Sequence, residues 1–165
     1  MAREFSVGTD GATLANAAVT LVFLNATAAP NVNLIILRFW ASQQGSVTSN
    51  QQRVQVETQA SVFPTLVSAT PRHLKLGDTT NSVLVGGTAG AQGTTGVNAS
   101  AEGAGTKTTM FGDAFNVLNG YLWSPNTREV IELVPAFAQG LGLFLPAAAA
   151  SLTNWAMGCN YAEGT

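Results

Sequence analysis

RVQVETQASV, residues 53–62, alternates without a break. Arg53, Gln55, Glu57, Gln59 and Ser61 fall on one side, and Val54, Val56, Thr58, Ala60 and Val62 on the other. Successive side chains of a strand point to opposite faces, so this period of two predicts a half-buried antiparallel strand with one wet face. Pro64 lacks the N–H that a ladder needs and ends the pairing.

Two earlier segments share the period but not the wet face. In Ala17–Asn25, Val19, Leu21 and Phe23 alternate with Thr20, Val22 and Leu24; in Val32–Ala41, Leu34, Ile36 and Trp40 alternate with Ile35, Leu37 and Phe39. A two-layer sandwich buries one face of each sheet, so the second apolar face needs a further cover, and a neighbouring copy is the expected one. Downstream, Phe115, Val117, Tyr121 and Trp123 share a side of Asp113–Trp123, and Val130–Val134 is a short β-branched run. Leu141, Leu143 and Leu145 alternate with Gly142 and Phe144, and the closing strand sets Trp155, Met157, Cys159 and Tyr161 on one face.

Many short strands between turn residues, with no long amphipathic helix, predict an all-β chain. The expected architecture is an antiparallel β-sandwich, jelly-roll-like, of about eight strands in a single domain over residues 1–165. Residues 86–105, GGTAGAQGTTGVNASAEGAG, break the pattern. With no large side chain to pack, they read as a Gly/Thr/Ala-rich loop, either flexible or reaching across to pair with a neighbour.

Composition narrows the function. Charged residues are 10% of the chain, where about a quarter is usual, and hydrophobic residues are 46% with a mean hydropathy of +0.21. A lone soluble domain normally keeps itself dispersed with a charged surface, so this shortage predicts a surface largely covered by other protein. The net charge of −2 and the absence of a Lys/Arg cluster argue against nucleic acid as a partner. Apolar runs fall well short of the ~20 residues of a membrane-spanning helix, so no membrane partner is expected. Met1–Phe5 has no secretory character, which places the product in a cytoplasm. By that expectation the sequons at Asn25 and Asn98 are chance matches. Cys159 is alone and reads as a small core hydrophobe.

Catalytic chemistry finds little support. His73 is the single histidine, and no G-x-S-x-G turn exists to present a serine nucleophile. Glu129 and Glu132 fall on opposite strand faces, and Asp10, Asp78 and Asp113 sit beside glycines or turns, where Asp caps backbone donors. No metal, cofactor or enzymatic role is expected. Trp40, Trp123 and Trp155 read as core or interface anchors in preference to a sugar-stacking platform. The candidate interface comprises Leu34, Ile36, Trp40, Arg72, His73, Leu74, Trp123 and Trp155.

Three stretches carry a resemblance: RVQVETQASVFPTLVSATPRHLKLGD (53–78), GTKTTMFGDAFNVLNGYLWSP (105–125) and GLGLFLPAAAASLTNWAMGCNY (140–161). In this order they resemble small β-sandwich virion structural proteins of tailed bacteriophages. The likeness touches Thr70, Pro71, Leu74, Gly77 and Asp78, then Phe115, Asn116, Gly120, Trp123 and Pro125. These are packing and turn positions, so no active site is carried over. The resemblance implies a capsid decoration or cementing protein on the outside of the shell. Its partners would be copies of itself, as a homotrimer, and the major capsid protein. The rival expectations are a receptor- or glycan-binding module of a virion and a self-polymerising shell or filament subunit.

Overall fold

The closing strand obeys its alternation to the end: Trp155, Met157, Cys159 and Tyr161 are all fully buried. They belong to β13 (Trp155–Gly164), which lies between β1 (Arg3–Ala12) and β3 (Asn33–Gln43). The computed structural model describes residues 2–27, 32–126, 128–135 and 139–164, and thirteen strands lie among them. One sheet runs β10 (Tyr121–Trp123), β3, β13, β1, β6 (Arg72–His73), with β11 (Glu132–Leu133) also on β3. The other runs β5 (Thr65–Ser68), β8 (Thr94–Ala101), β2 (Val19–Asn25), β12 (Gln139–Leu145), β4 (Gln51–Ala60), β9 (Thr106–Asn116). β7 (Val85–Gly86) joins β8 and makes the one parallel pair among the described strands.

The two sheets pack face to face, as expected of an antiparallel sandwich. Of the thirteen strands, eight are seven residues or longer, which reconciles the count with the eight or so legible in the pattern. β1 pairs with β13, β2 with β12, β3 with β10 and β4 with β9, in alternate sheets. This nesting of first with last and second with next-to-last is compatible with a jelly roll. The interior between the layers is aliphatic and aromatic: Leu21, Leu34, Ile36, Phe39, Val56, Leu141 and Leu143 are completely enclosed. Each such side chain contributes roughly 1.5–3 kcal/mol through burial.

Bulges change the faces that strict alternation predicts. Arg38 pairs with Asn160 but Ile36 with Tyr161, so Leu37 is the extra residue of β3. Leu34 and Ile36 point inward before it, Phe39 and Ala41 after it, and Trp40 is turned out of the set it was expected to share. The sequence 113–123 is likewise not one strand. Asn116 folds the chain over: its side-chain oxygen accepts from Leu118 N–H at 3.0 Å and its carbonyl from Asn119 N–H at 2.9 Å. Gly120, at φ +70°, completes the turn from β9 in one sheet to β10 in the other.

Residues 86–105 are not the unstructured loop their composition suggests. Thr94–Ala101 is β8, held between β2 and β5. It belongs to the long connection from β4 to β9, residues 61–105, which adds β6 to the edge of β1 and β8 to the edge of β2. The same connection folds over the outer face of β2. Phe63 packs 5.9 Å from Phe23, Asn25 Nδ2 donates to Gly90 O at 2.9 Å, and Gln59 Nε2 donates to Glu102 O at 2.9 Å. Phe23 in turn lies across Gly140 and Gly142: a Cβ on Gly140 would collide with its ring, and one on Gly142 would stand 3.1 Å from it. The cover expected from a neighbouring copy is therefore supplied to β2 by its own chain.

Charge fastens that cover. Lys107 Nζ lies 2.9 Å from Glu57 and 2.5 Å from Glu102, and 3.6 Å from the centre of the Phe144 ring. Glu102 also accepts from the backbone N–H and hydroxyl of Thr20. Removing the cation leaves two carboxylates facing each other with little water. Lys107→Met is expected to cost about 2–3 kcal/mol in urea unfolding, below the figure for a fully buried pair because Lys107 keeps 22% exposure.

Burial raises the Glu57 pKa above its ordinary 4.5, even though the Lys107 hydrogen bond and charge pull it down. Between 4.5 and the raised value the folded chain holds more protons than the unfolded one, so stability falls as pH rises through that window. Glu57→Gln is expected to flatten that slope, measured as unfolding free energy against pH.

Candidate functional site

β9 reads TKTTMFGDAFN and is the outermost strand of its sheet, bonded to β4 on one side only. Edge strands usually block unwanted pairing with charge, proline or a cover. Here Lys107 is turned in to Glu57 and Glu102, and Asp113 is the other charge on the strand. Seven of its eleven residues are exposed, and Met110 is the bulged residue between Thr109 and Phe111. The result is a long, nearly neutral edge with free backbone donors and acceptors.

An apolar groove of about 440 Å³ lies beside that edge, between β9 and the strands β10 and β11 of the facing sheet. Met110, Phe111, Trp123, Glu129, Val130 and Ile131 line it. Its floor is aromatic, with Phe111 5.3 Å and Phe39 5.9 Å from Trp123. Below, the Phe115 ring packs, tilted, 5.6 Å from Tyr121, whose hydroxyl pKa is pushed up to about 12 by burial and then by the Asp113 charge. Among the described residues, Met110 and Val130 are exposed apolar side chains that line this groove, whereas Leu122 pairs with Trp40 and shares its outward face. The open side of the sandwich is thus its longest free edge with an apolar groove beside it.

The candidate interface residues divide three ways. Leu34, Ile36 and Trp155 have no exposed surface and belong to the chain's own core, where alternation alone does not distinguish core from interface. Trp123 lines the open-edge groove. Trp40, Arg72, His73 and Leu74 lie elsewhere, along the outer face and β6 edge of the other sheet. The three tryptophans therefore form no common platform. Met110 and Phe111 went unremarked in the sequence because their strand is a bulged edge, and Val130 and Ile131, legible only as part of a short β-branched run, lie just before β11.

Among the described residues, the ionisable groups are spread over separate structural roles. His73 packs on Phe5 with ring centres 4.5 Å apart and planes tilted by 43°, and its Nε2 is enclosed without a partner. Glu163, fully buried, meets Arg3 at 3.2 Å and accepts from Val83 N–H at 2.8 Å. Burial pushes the Cys159 thiol well up, which leaves it unreactive inside β13. Asp78 is held below the usual carboxylate range chiefly by the Thr80 N–H, at 3.0 Å, so it is a turn cap. Among the described residues no three His, Cys, Asp or Glu side chains gather as a metal site.

The division of tryptophans is measurable. Trp155 fills the core, meets Phe115 edge-on and donates to Ser151 O at 2.7 Å. Trp155→Ala is expected to cost about 3–5 kcal/mol in denaturant unfolding. Trp40→Ala, on a surface, is expected to cost about 1–2 kcal/mol.

No protein-family model, curated protein or solved structure matches this chain.

Proposed function

We propose that this protein is a non-enzymatic structural component that works by assembling with copies of itself, and that its setting is the outer surface of a virus capsid. The observation that carries the assembly reading is the open side of the sandwich. A neutral eleven-residue edge flanked by an apolar groove offers backbone pairing and hydrophobic burial in one place. Apolar burial of about 25 cal/mol per Å² offsets the cost of association when the contact is broad.

The capsid setting is supported by the sequence resemblance to bacteriophage virion proteins. The residues of that resemblance serve turns and packing here: Gly77 has φ +88°, Asp78 caps a turn, Phe115 is buried and Asn116 makes the corner. A decoration protein needs a rigid frame with adhesive margins, and such positions maintain a frame. Its partners on this reading are its own copies, as a trimer, and the major capsid protein.

Light scattering across a dilution series is expected to give a multiple of the 17.0 kDa chain mass. Met110→Lys with Val130→Lys is expected to return the single-chain mass at unchanged melting temperature. Wild-type protein that stays single-copy at every concentration contradicts self-assembly. Co-sedimentation with bacteriophage capsid shells tests the setting; ordered polymers formed without any shell would favour the self-polymerising alternative.

A further inference from the structure

We propose that the outer face of the β1–β13–β3 sheet carries a saccharide-binding groove, with Trp40 as its stacking surface. The site is separate from the open edge, and the inference does not rest on the assembly reading. In register, Trp40 lies beside Gly158, and Gly158 beside Gly8, across three adjacent strands. Neither glycine raises a side chain, so the indole reaches over both: a Cβ on Gly8 would stand 3.0 Å from Trp40 Cζ2, and one on Gly158 would collide with the ring. Two glycines in one row thus hold a large aromatic ring against the sheet backbone. The ring is half-buried against the sheet and borders the groove described next.

The ring is also fixed in place. Arg38 Cζ lies 5.2 Å from its centre. With the Asn160 amide turned to satisfy its neighbours, its oxygen accepts from Arg38 Nε at 2.9 Å and Nη2 at 3.1 Å, and its nitrogen donates to Ser6 Oγ at 2.9 Å. A flat ring whose neighbours are already oriented loses little freedom on binding.

Between Trp40 and the start of β6 runs a groove of about 340 Å³ bearing Ser6, Thr9, Asp10, Thr70 and Arg72. Among the described residues, neither Asp10 nor Arg72 is in an ion pair. A pyranose ring has an apolar C–H face and a rim of hydroxyls that both donate and accept. The groove answers each part: an aromatic wall for the face, and hydroxyls, a carboxylate and a guanidinium for the rim. Its volume sits at the low end of small-molecule sites, roughly 300–1,000 Å³, which suits one or two sugar rings. A nucleotide fits less well, because the Asp10 charge opposes a phosphate.

Saturation-transfer NMR with methyl glycosides of glucose, galactose, mannose and N-acetylglucosamine at millimolar concentration tests the site on the intact chain. At least one glycoside is expected to bind. Trp40→Ala, checked as folded by its melting curve, should abolish the signal, and Asp10→Asn should weaken binding about tenfold. Trp123→Ala and Met110→Lys, on the open edge, should leave it unchanged. Absence of binding by all four glycosides, binding that survives Trp40→Ala, or loss on Trp123→Ala instead would each overturn the proposal. So would preferential binding of a nucleoside monophosphate over the glycosides.

Discussion

The contact between Lys107 and the paired carboxylates of Glu57 and Glu102 decides what kind of surface this sandwich has. Glu57 stands on β4, Lys107 on β9 and Glu102 on the connection between them, so the cluster ties that connection down where β9 begins. Its net stabilisation is modest, since desolvating charges offsets much of their attraction. Its value is positional. Unlike hydrophobic packing, three charges with a hydroxyl and an N–H from Thr20 fit together in few arrangements.

Once the connection is down, the apolar outer face of β2 is no longer available to a partner. Every residue of β2 is buried, and Phe63 and Gly90 lie over Phe23. The case for assembly therefore cannot rest on strands with two greasy faces. It moves to the margin opposite the β6 and β8 additions, where β9 and β10 end their sheets. The connection covers the edges of β1 and β2, and among the described residues no strand covers the free edge of β9. One side of the sandwich is sealed by its own chain and the other is open.

The sandwich was legible wherever alternation ran unbroken. β12 and the inward face of β13 are where period two places them, because each lies central enough that both neighbours enforce the pleat. β4 follows the pattern through Val56, but Glu57 and Gln59 of its expected wet face are buried, against Lys107 and the 61–105 connection. What the pattern hid has specific causes. Leu37 and Met110 are bulged residues, and one extra residue inverts every later side chain, which is why Trp40 left the set it shared with Ile36. β1, REFSVGTDGA, escaped notice because its outward face is glycine and polar residues, while Phe5 and Val7 alone signal its core side. β8 was hidden by composition. Its small residues are needed because Gly96 passes against Leu66, where a Cβ would stand 2.6 Å from the Leu66 Cβ. Of the two surfaces, Trp40, Arg72 and Trp123 were singled out as residues, but their separation into different grooves follows from the bulge and the turn.

A low ionic content does not by itself imply an apolar exterior. On this chain the wet faces are made of hydroxyls and amides: Thr106, Thr108 and Thr109 on β9, Gln51 and Gln55 on β4. Such groups hydrate well while carrying no charge, so solubility is kept without mutual repulsion between copies. The same neutrality removes the usual obstacle at a sheet margin, because a like-charged edge repels its own image and a threonine edge does not. Scarcity of charge is then better understood as permission to approach than as evidence of a missing cover. On the proposed assembly, approach would be confined to one side because the other is closed by residues 61–105, and the closure depends on three of the few charges the chain retains.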